Sequence, residues 1–292
     1  MIRWKSFGLG LMLAAAALAA AGCAGDPAAS SAGPATAAPP SSARPVATAT
    51  VDPARVSFSR VKAPDGSVVT LATFSGAVRY VLHDGSQDPG ALAGAVQAGP
   101  KITGVGRSQL IAAFNGGFLM KAKAGGYEQE RHVAMPLRAG LASLVIDTSG
   151  RARIGVWGQT VPAPGEDVYS VRQNLSLLVS GGTPTAESYL WPQWGSTLDN
   201  IEYVARSAIG QNAAGDLIYA ASMSTTPEDL AWALEHAGAK VAMELDINPE
   251  WVQLDAATRP GGQLKAEIPG QHRPANQYLT GWTRDFIAVL AP

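Results

Sequence analysis

Three observations predict an α+β fold for this chain: a strand-rich mixed β-sheet core, few helices, and a single domain. Glycine (32) and proline (20) are abundant among the 292 residues, which marks many turns and so many short strands. Short apolar or alternating runs recur between those turns at strand length. Full helix signals gather in one late segment, residues 226–238. Runs of strands with an isolated helix indicate α+β architecture.

Residues 1–22 read as a secretion signal. Arg3 and Lys5 open it, an apolar run follows, and small residues precede Cys23, the one cysteine of the chain. That order predicts lipid attachment at Cys23, an extracytoplasmic location and a membrane anchor, with plain secretion as the alternative. Such signals prefer leucine three before the cysteine, where Ala20 stands here. Residues 23–52, rich in Ala, Pro and Ser, cannot bury enough surface to offset their ordering entropy and read as a flexible tether. Residues 53–292 suffice for one sizeable core. A net charge of −1, charged residues at 15% and no basic run disfavour a nucleic-acid partner.

In chain order, residues 55–62 and 67–74 flank Pro64-Asp65-Gly66 as a hairpin. Residues 78–82 form a strand, and 89–98 a short helix despite Gly90 and Gly94. Residues 110–114 make an apolar strand that runs into Asn115-Gly116-Gly117. A second hairpin pairs 143–147 with 153–157. One strand is expected over 171–180. A third hairpin pairs 205–210 with 217–221, and residues 285–290 close the chain as a strand.

The helix at 226–238 is the best specified element. Thr226 caps it, Pro227 takes the first position where a missing N–H is harmless, and Asp229 sits in the first turn. Leu230, Ala233, Leu234 and Ala237 make its apolar stripe, and Gly238 is the left-handed stop. The period then changes from 3.6 to 2. Ala242, Glu244, Asp246 and Asn248 are expected on one face of a strand, opposite Val241, Met243, Leu245 and Ile247. Polar groups there, beside Pro249 and Trp251, read either as a cleft wall or as the exposed half of an ordinary strand.

Several pieces together resemble the phosphodiester glycosidase family. They are Ile111-Ala112-Ala113-Phe114-Asn115-Gly116-Gly117-Phe118, Arg206-Ser207-Ala208-Ile209-Gly210, Ala242-Met243-Glu244-Leu245-Asp246 and Arg284-Asp285-Phe286. The resemblance implies a hydrolase for the sugar C1–O bond of a sugar 1-phosphodiester. It casts Asp246 or Glu244 as the catalytic carboxylate, Arg206 as phosphate holder and Asn115, with Gly116 and Gly117, as orienter. The chain departs from the family at Ile247-Asn248-Pro249-Glu250, where the family has a glycine-rich loop that crowds backbone N–H groups onto an anion. Glu244 also stands where the family has a neutral residue.

Each residue also has a plainer role open to it. Asn115 before two glycines makes a turn. Arg206 makes an ion pair with Glu244 or Asp246. Arg284 and Asp285 pair at a strand start, or Arg284 touches ligand. Asn174 and Asn248 face the same cleft, or Asn248 lies on the exposed half of an ordinary strand. Asp246-x-Asn248-x-Glu250 has the spacing of a calcium loop's first oxygen ligands, but Trp251 replaces the required glycine; no cofactor is expected, with a divalent cation near Asp246 as the exception to test. The four histidines show no zinc spacing.

The function expected is therefore that of an envelope lipoprotein acting on phosphodiester-linked sugars of wall or capsule glycans. The alternatives are a non-catalytic glycan-binding lipoprotein on the same fold, or a glycosidase for a non-phosphate linkage that uses Glu244, Asp246 and Glu250.

Overall fold

The computed structural model describes residues 54–195 and 201–292. The signal, Cys23 and the tether therefore lie outside the described residues. The described residues form one compact unit. Its strands begin with β1 (Arg55–Lys62), β2 (Val68–Ser75) and β3 (Arg79–His83), followed by helix α1 (Gly104–Gln109) and β4 (Leu110–Asn115). Next come β5 (Tyr127–Gln129), β6 (His132–Met135), β7 (Ala142–Asp147), β8 (Ala152–Val156), β9 (Val168–Gln173), β10 (Leu177–Ser180) and β11 (Thr183–Pro184). The last part holds β12 (Val204–Asn212), β13 (Leu217–Thr225), α2 (Pro227–His236), β14 (Ala239–Ile247), β15 (Leu254–Ala256), β16 (Lys265–Ala266), α3 (Gln277–Thr280) and β17 (Phe286–Leu290).

These strands form three sheets, ordered β1-β2-β13-β12-β14-β10-β11, β16-β15-β4-β17-β3 and β6-β5-β9-β7-β8. One buried cluster draws on all three: Phe74, Ile209, Tyr219 and Leu245 from the first, Phe114, Leu254 and Ile287 from the second, Leu144 and Ile154 from the third. Burying such side chains, at roughly 25 cal/mol per Å2 of apolar surface, is what holds the sheets face to face. The other face of the seven-stranded sheet packs under α2 through Leu230, Ala233 and Leu234. β4 and β17 are buried on both faces, so their sequences are continuously apolar rather than alternating.

A strand-rich core with few helices was the expectation and is found, but the large mixed sheet expected is several antiparallel ones. Every pairing between named strands is antiparallel, and among the described residues parallel contact is limited to the isolated bridges Asp88↔Arg284 and Trp157↔Val161. The physical reason lies in the connections. α2 carries the chain from β13 over β12 to β14, so β13 and β14 run in the same direction, but β12 lies between them and pairs antiparallel with both. The fold is thus mostly β with few helices.

α2 starts and stops where its signals lie. The Thr226 side chain accepts the Asp229 N–H at 3.1 Å, and Gly238 has φ +89°. Two expectations fail for backbone reasons. Residues 89–98 form turns, because Gly90 and Gly94 take φ +60° and +83°, outside the right-handed helix. The single strand over 171–180 is two strands in different sheets, β9 and β10, separated at Leu175, which has φ +52°.

Candidate active site

β14 runs through the middle of the seven-stranded sheet and its far end meets the start of β17. Its pairing with β12 shifts there: Ala208 opposes Glu244, but Arg206 opposes Ile247. One residue on β12, Ser207, thus faces two on β14, a β-bulge over Leu245 and Asp246. At the bulge the Asp246 N–H leaves the sheet and donates to the Gly116 carbonyl at 2.8 Å, while Ser207 Oγ donates to the Asp246 carbonyl at 2.8 Å. Asn174 braces the bulge by donating to the Glu244 and Leu245 carbonyls at 2.9 and 3.3 Å.

The bulge breaks the period-2 alternation, so Glu244, Asp246 and Asn248 are engaged by separate partners. Glu244 accepts from Arg206 Nη1 at 2.9 Å, and both side chains are fully buried. Arg206 Nη1 also donates to the Trp194 carbonyl at 2.6 Å. Asp246 instead accepts from Arg284 Nη2 at 2.7 Å, and its second oxygen takes the Ile247 N–H at 2.9 Å. Asn248 has φ +96°, a region asparagine tolerates better than most residues, and its side chain accepts the Glu250 N–H at 3.0 Å. Glu250 pairs with Arg273 at 2.5 Å and with His272 Nδ1 at 2.8 Å. Asp246, Asn248 and Glu250 therefore do not converge as their calcium-like spacing suggested. No group of three His, Cys, Asp or Glu side chains suited to a metal occurs among the described residues.

Asn115 is spent inside the fold. Its amide donates to Ser207 Oγ at 2.8 Å and to the Gly116 carbonyl, and its oxygen accepts from Tyr219 Oη at 2.7 Å and the Gln253 N–H. The Gly116 and Gly117 N–H groups go to the Asp285 carbonyl and carboxylate at 3.0 and 3.3 Å. A Cβ on Gly116 would stand 1.9 Å from the Asp285 carboxylate, and one on Gly117 would stand 2.7 Å from the Arg172 guanidinium carbon. These glycines thus admit a buried ion pair, Arg172–Asp285 at 2.8 Å. Arg284 and Asp285, expected as partners of each other, each bind a different residue.

Arg284 has two buried donor atoms without a partner, where Arg206 has one, its Nε. Arg284 is 4% exposed, and its Nη2 serves both Asp246 and the Gly117 carbonyl, the latter at 3.0 Å. Its Nε and Nη1 have no protein partner, and neither does Trp282 Nε1 nearby. The Trp251 ring lies 5.0 Å from the Arg284 guanidinium and 5.7 Å from the Trp282 ring. Arg273 lies 5.2 Å from Trp282, which completes an aromatic and cationic rim. Burial pushes the Asp246 carboxyl up to about 7, with Arg284 opposing the shift. Burial likewise raises Glu244, against the pull of Arg206.

Buried carboxylates gripped by guanidinium groups at the ends of antiparallel strands thus form a polar cluster on a mostly β scaffold. Comparison with known structures identifies that scaffold. The fold is similar to the zebrafish N-acetylglucosamine-1-phosphodiester alpha-N-acetylglucosaminidase catalytic domain auto-inhibited by pro-peptide, with a TM-score of 0.54, 14% identity and 84% of each chain covered. A hypothetical protein from Synechocystis aligns with a TM-score of 0.44 and 12% identity, over 82% of this chain and 62% of that one. A putative exported protein from Burkholderia pseudomallei aligns with a TM-score of 0.30 and 14% identity, over 82% and 58%. No protein-family model and no curated protein matches the chain. The first likeness shows a shared fold.

Arg172, Tyr219, Gln253 and Arg273 were not singled out in the sequence. Arg172 alone had a readable signal, a guanidinium inside an otherwise buried strand, which demands a buried carboxylate partner. Arg273 lies in a turn with no pattern.

Proposed function

We propose that this chain is a glycosidase that cleaves the C1–O bond of a sugar 1-phosphodiester in an envelope glycan, held at the membrane through Cys23. The observation that carries the reading is the Arg284 guanidinium beside Asp246, buried and with two free donors. A guanidinium matches two oxygens of a phosphate with a fixed fork. The shared fold with a phosphodiester glycosidase supports the same chemistry.

In this reading Arg284 takes the phosphate-holding role that the resemblance implied for Arg206, because Arg206 is committed to Glu244 and Trp194. Asp246 is the catalytic carboxylate; a group held near neutrality by burial can stabilise a cationic sugar or activate water. Phosphate is a good leaving group, so one carboxylate suffices. The two-carboxylate alternative is disfavoured, since Glu244, Asp246 and Glu250 each have a cationic partner of their own. Asp246 is 5% exposed, so substrate reaches it only if the surrounding structure opens.

The test is release of reducing sugar from a panel of sugar 1-phosphodiesters by the whole protein. Turnover of at least one that is lost in Arg284→Met supports the reading. A panel wholly inert to the wild type overturns it in favour of a glycan-binding role.

A further inference from the structure

A recess with polar groups on a largely apolar lining lies near the candidate site and takes no part in it. It is a cleft of about 590 Å3 between the β1–β2 turn, the end of β13 and the segment around Ile268 and Pro269. The strand ladders place it: Thr70 pairs with Ala221, Ser222 with Arg206, and Arg206 with Ile247. The cleft therefore opens at the end of the seven-stranded sheet that carries Asp246. Its Ile268–Pro269 wall continues within a few residues to His272 and Arg273, which hold Glu250 in the turn beside Trp251.

The lining has a definite chemistry. Thr70 is 2% exposed, lines the cleft, and its hydroxyl has no partner. A buried hydroxyl left unpaired carries a desolvation cost that a ligand hydrogen bond would remove. Asp65 on the rim is exposed and accepts the Ser67 N–H at 2.8 Å. Val68 and Tyr203, 50% and 46% exposed, offer apolar surface beside these groups. No Lys, Arg or His belongs to the lining, so an anion has no partner there. A carboxylate, hydroxyl groups and apolar surface together suit a neutral polyhydroxylated ligand.

We propose that this cleft is a subsite for a neutral saccharide unit, bound through Asp65, Thr70 and Tyr203. If the reading of Asp246 and Arg284 holds, the cleft takes sugars further along the same chain, and the substrate is a polymeric glycan rather than a single sugar phosphodiester. That extension rests on the proposed function; binding at the cleft does not.

Met223 lines the cleft and provides a local probe. The protein is labelled with 13C-methyl methionine, the Met223 resonance is assigned by Met223→Leu, and neutral hexasaccharides of glucose, mannose, galactose and N-acetylglucosamine are titrated, with inorganic phosphate as control. At least one hexasaccharide should shift the Met223 signal saturably while phosphate does not. Thr70→Val, which removes the unpaired hydroxyl at nearly equal volume, should weaken that binding about 2–10-fold without lowering Tm. Asp65→Asn should weaken it about tenfold or more, as expected for a charged partner. The proposal is overturned if no hexasaccharide moves Met223, if phosphate moves it instead, or if neither variant changes the affinity. Failure of the hydrolytic reading appears separately, in the reducing-sugar assay.

Discussion

Arg172 and Asp285 meet at 2.8 Å with both side chains essentially out of solvent, directly against Gly116 and Gly117. The pair joins β9 to the entry of β17 and so ties two sheets together. Removing one partner of such a pair strands a buried charge, at a cost of about 3–5 kcal/mol. Arg172→Met should lower stability by that amount in urea denaturation. Arg172→Met combined with Asp285→Asn should recover more than half of it. A single variant that unfolds at the wild-type midpoint would show that the pair is dispensable.

Asp246→Asn keeps the shape of the side chain and removes its charge. Turnover of a sugar 1-phosphodiester should fall at least about a hundredfold, the lower range for acid–base and electrostatic groups. Because Asp246 neutralises Arg284 at 2.7 Å, the variant should also lose about 1–3 kcal/mol, an unpaired buried group being costly. Loss of stability with activity unchanged per folded molecule would make Asp246 a structural anion only.

Asp255 is a buried carboxylate with amide partners and no cation: Gln253 and Gln271 donate to its two oxygens at 2.5 and 2.8 Å. Burial pushes it up to about 7, against those two hydrogen bonds. The folded protein therefore holds this proton more tightly than the unfolded chain. The resulting stability is complete below the ordinary aspartate value near 4 and is lost as pH rises to about 7. Asp255→Asn should flatten the fall of Tm between pH 4 and 7, with the Gln253 amide, whose oxygen is unpartnered, turning to accept from it. A slope identical to the wild type would place the titrating group elsewhere.

Gly238 has φ +89° and open space around an added Cβ. Gly238→Ala should then cost about 1 kcal/mol through backbone strain alone. A thermal melt that does not move would contradict the left-handed stop.

Cys23→Ser should shift the protein from the membrane fraction to the soluble fraction, because a lipid on this residue is the anchor expected from the sequence. Retention with membranes in fractionation would remove lipid attachment at Cys23 from the account.

Much of the fold was legible where chemistry is local. Thr226, Pro227 and Gly238 announce α2 through capping and φ alone, and Pro64-Asp65-Gly66 announces the β1–β2 hairpin. What stayed hidden is non-local. Leu175 carries no turn signature, yet its positive φ sends β9 and β10 to different sheets. The same holds at the site. Period-2 counting placed Glu244 and Asp246 together, whereas a single extra residue in β14 delivers them to Arg206 and Arg284. A bulge is set by what lies opposite the strand, and one strand's sequence does not contain that information.

The hydrogen bond from the Asp246 N–H to the Gly116 carbonyl crosses from one sheet to another through main chain alone. No side-chain substitution at either position except proline at 246 deletes those atoms. The angle between the two sheets is thereby insulated from the chemistry displayed at their junction. A lineage can exchange the carboxylate at 246, or the turn that follows it, and keep the framework in register. The same scaffold is thus free to change the groups displayed at that junction without first having to refold.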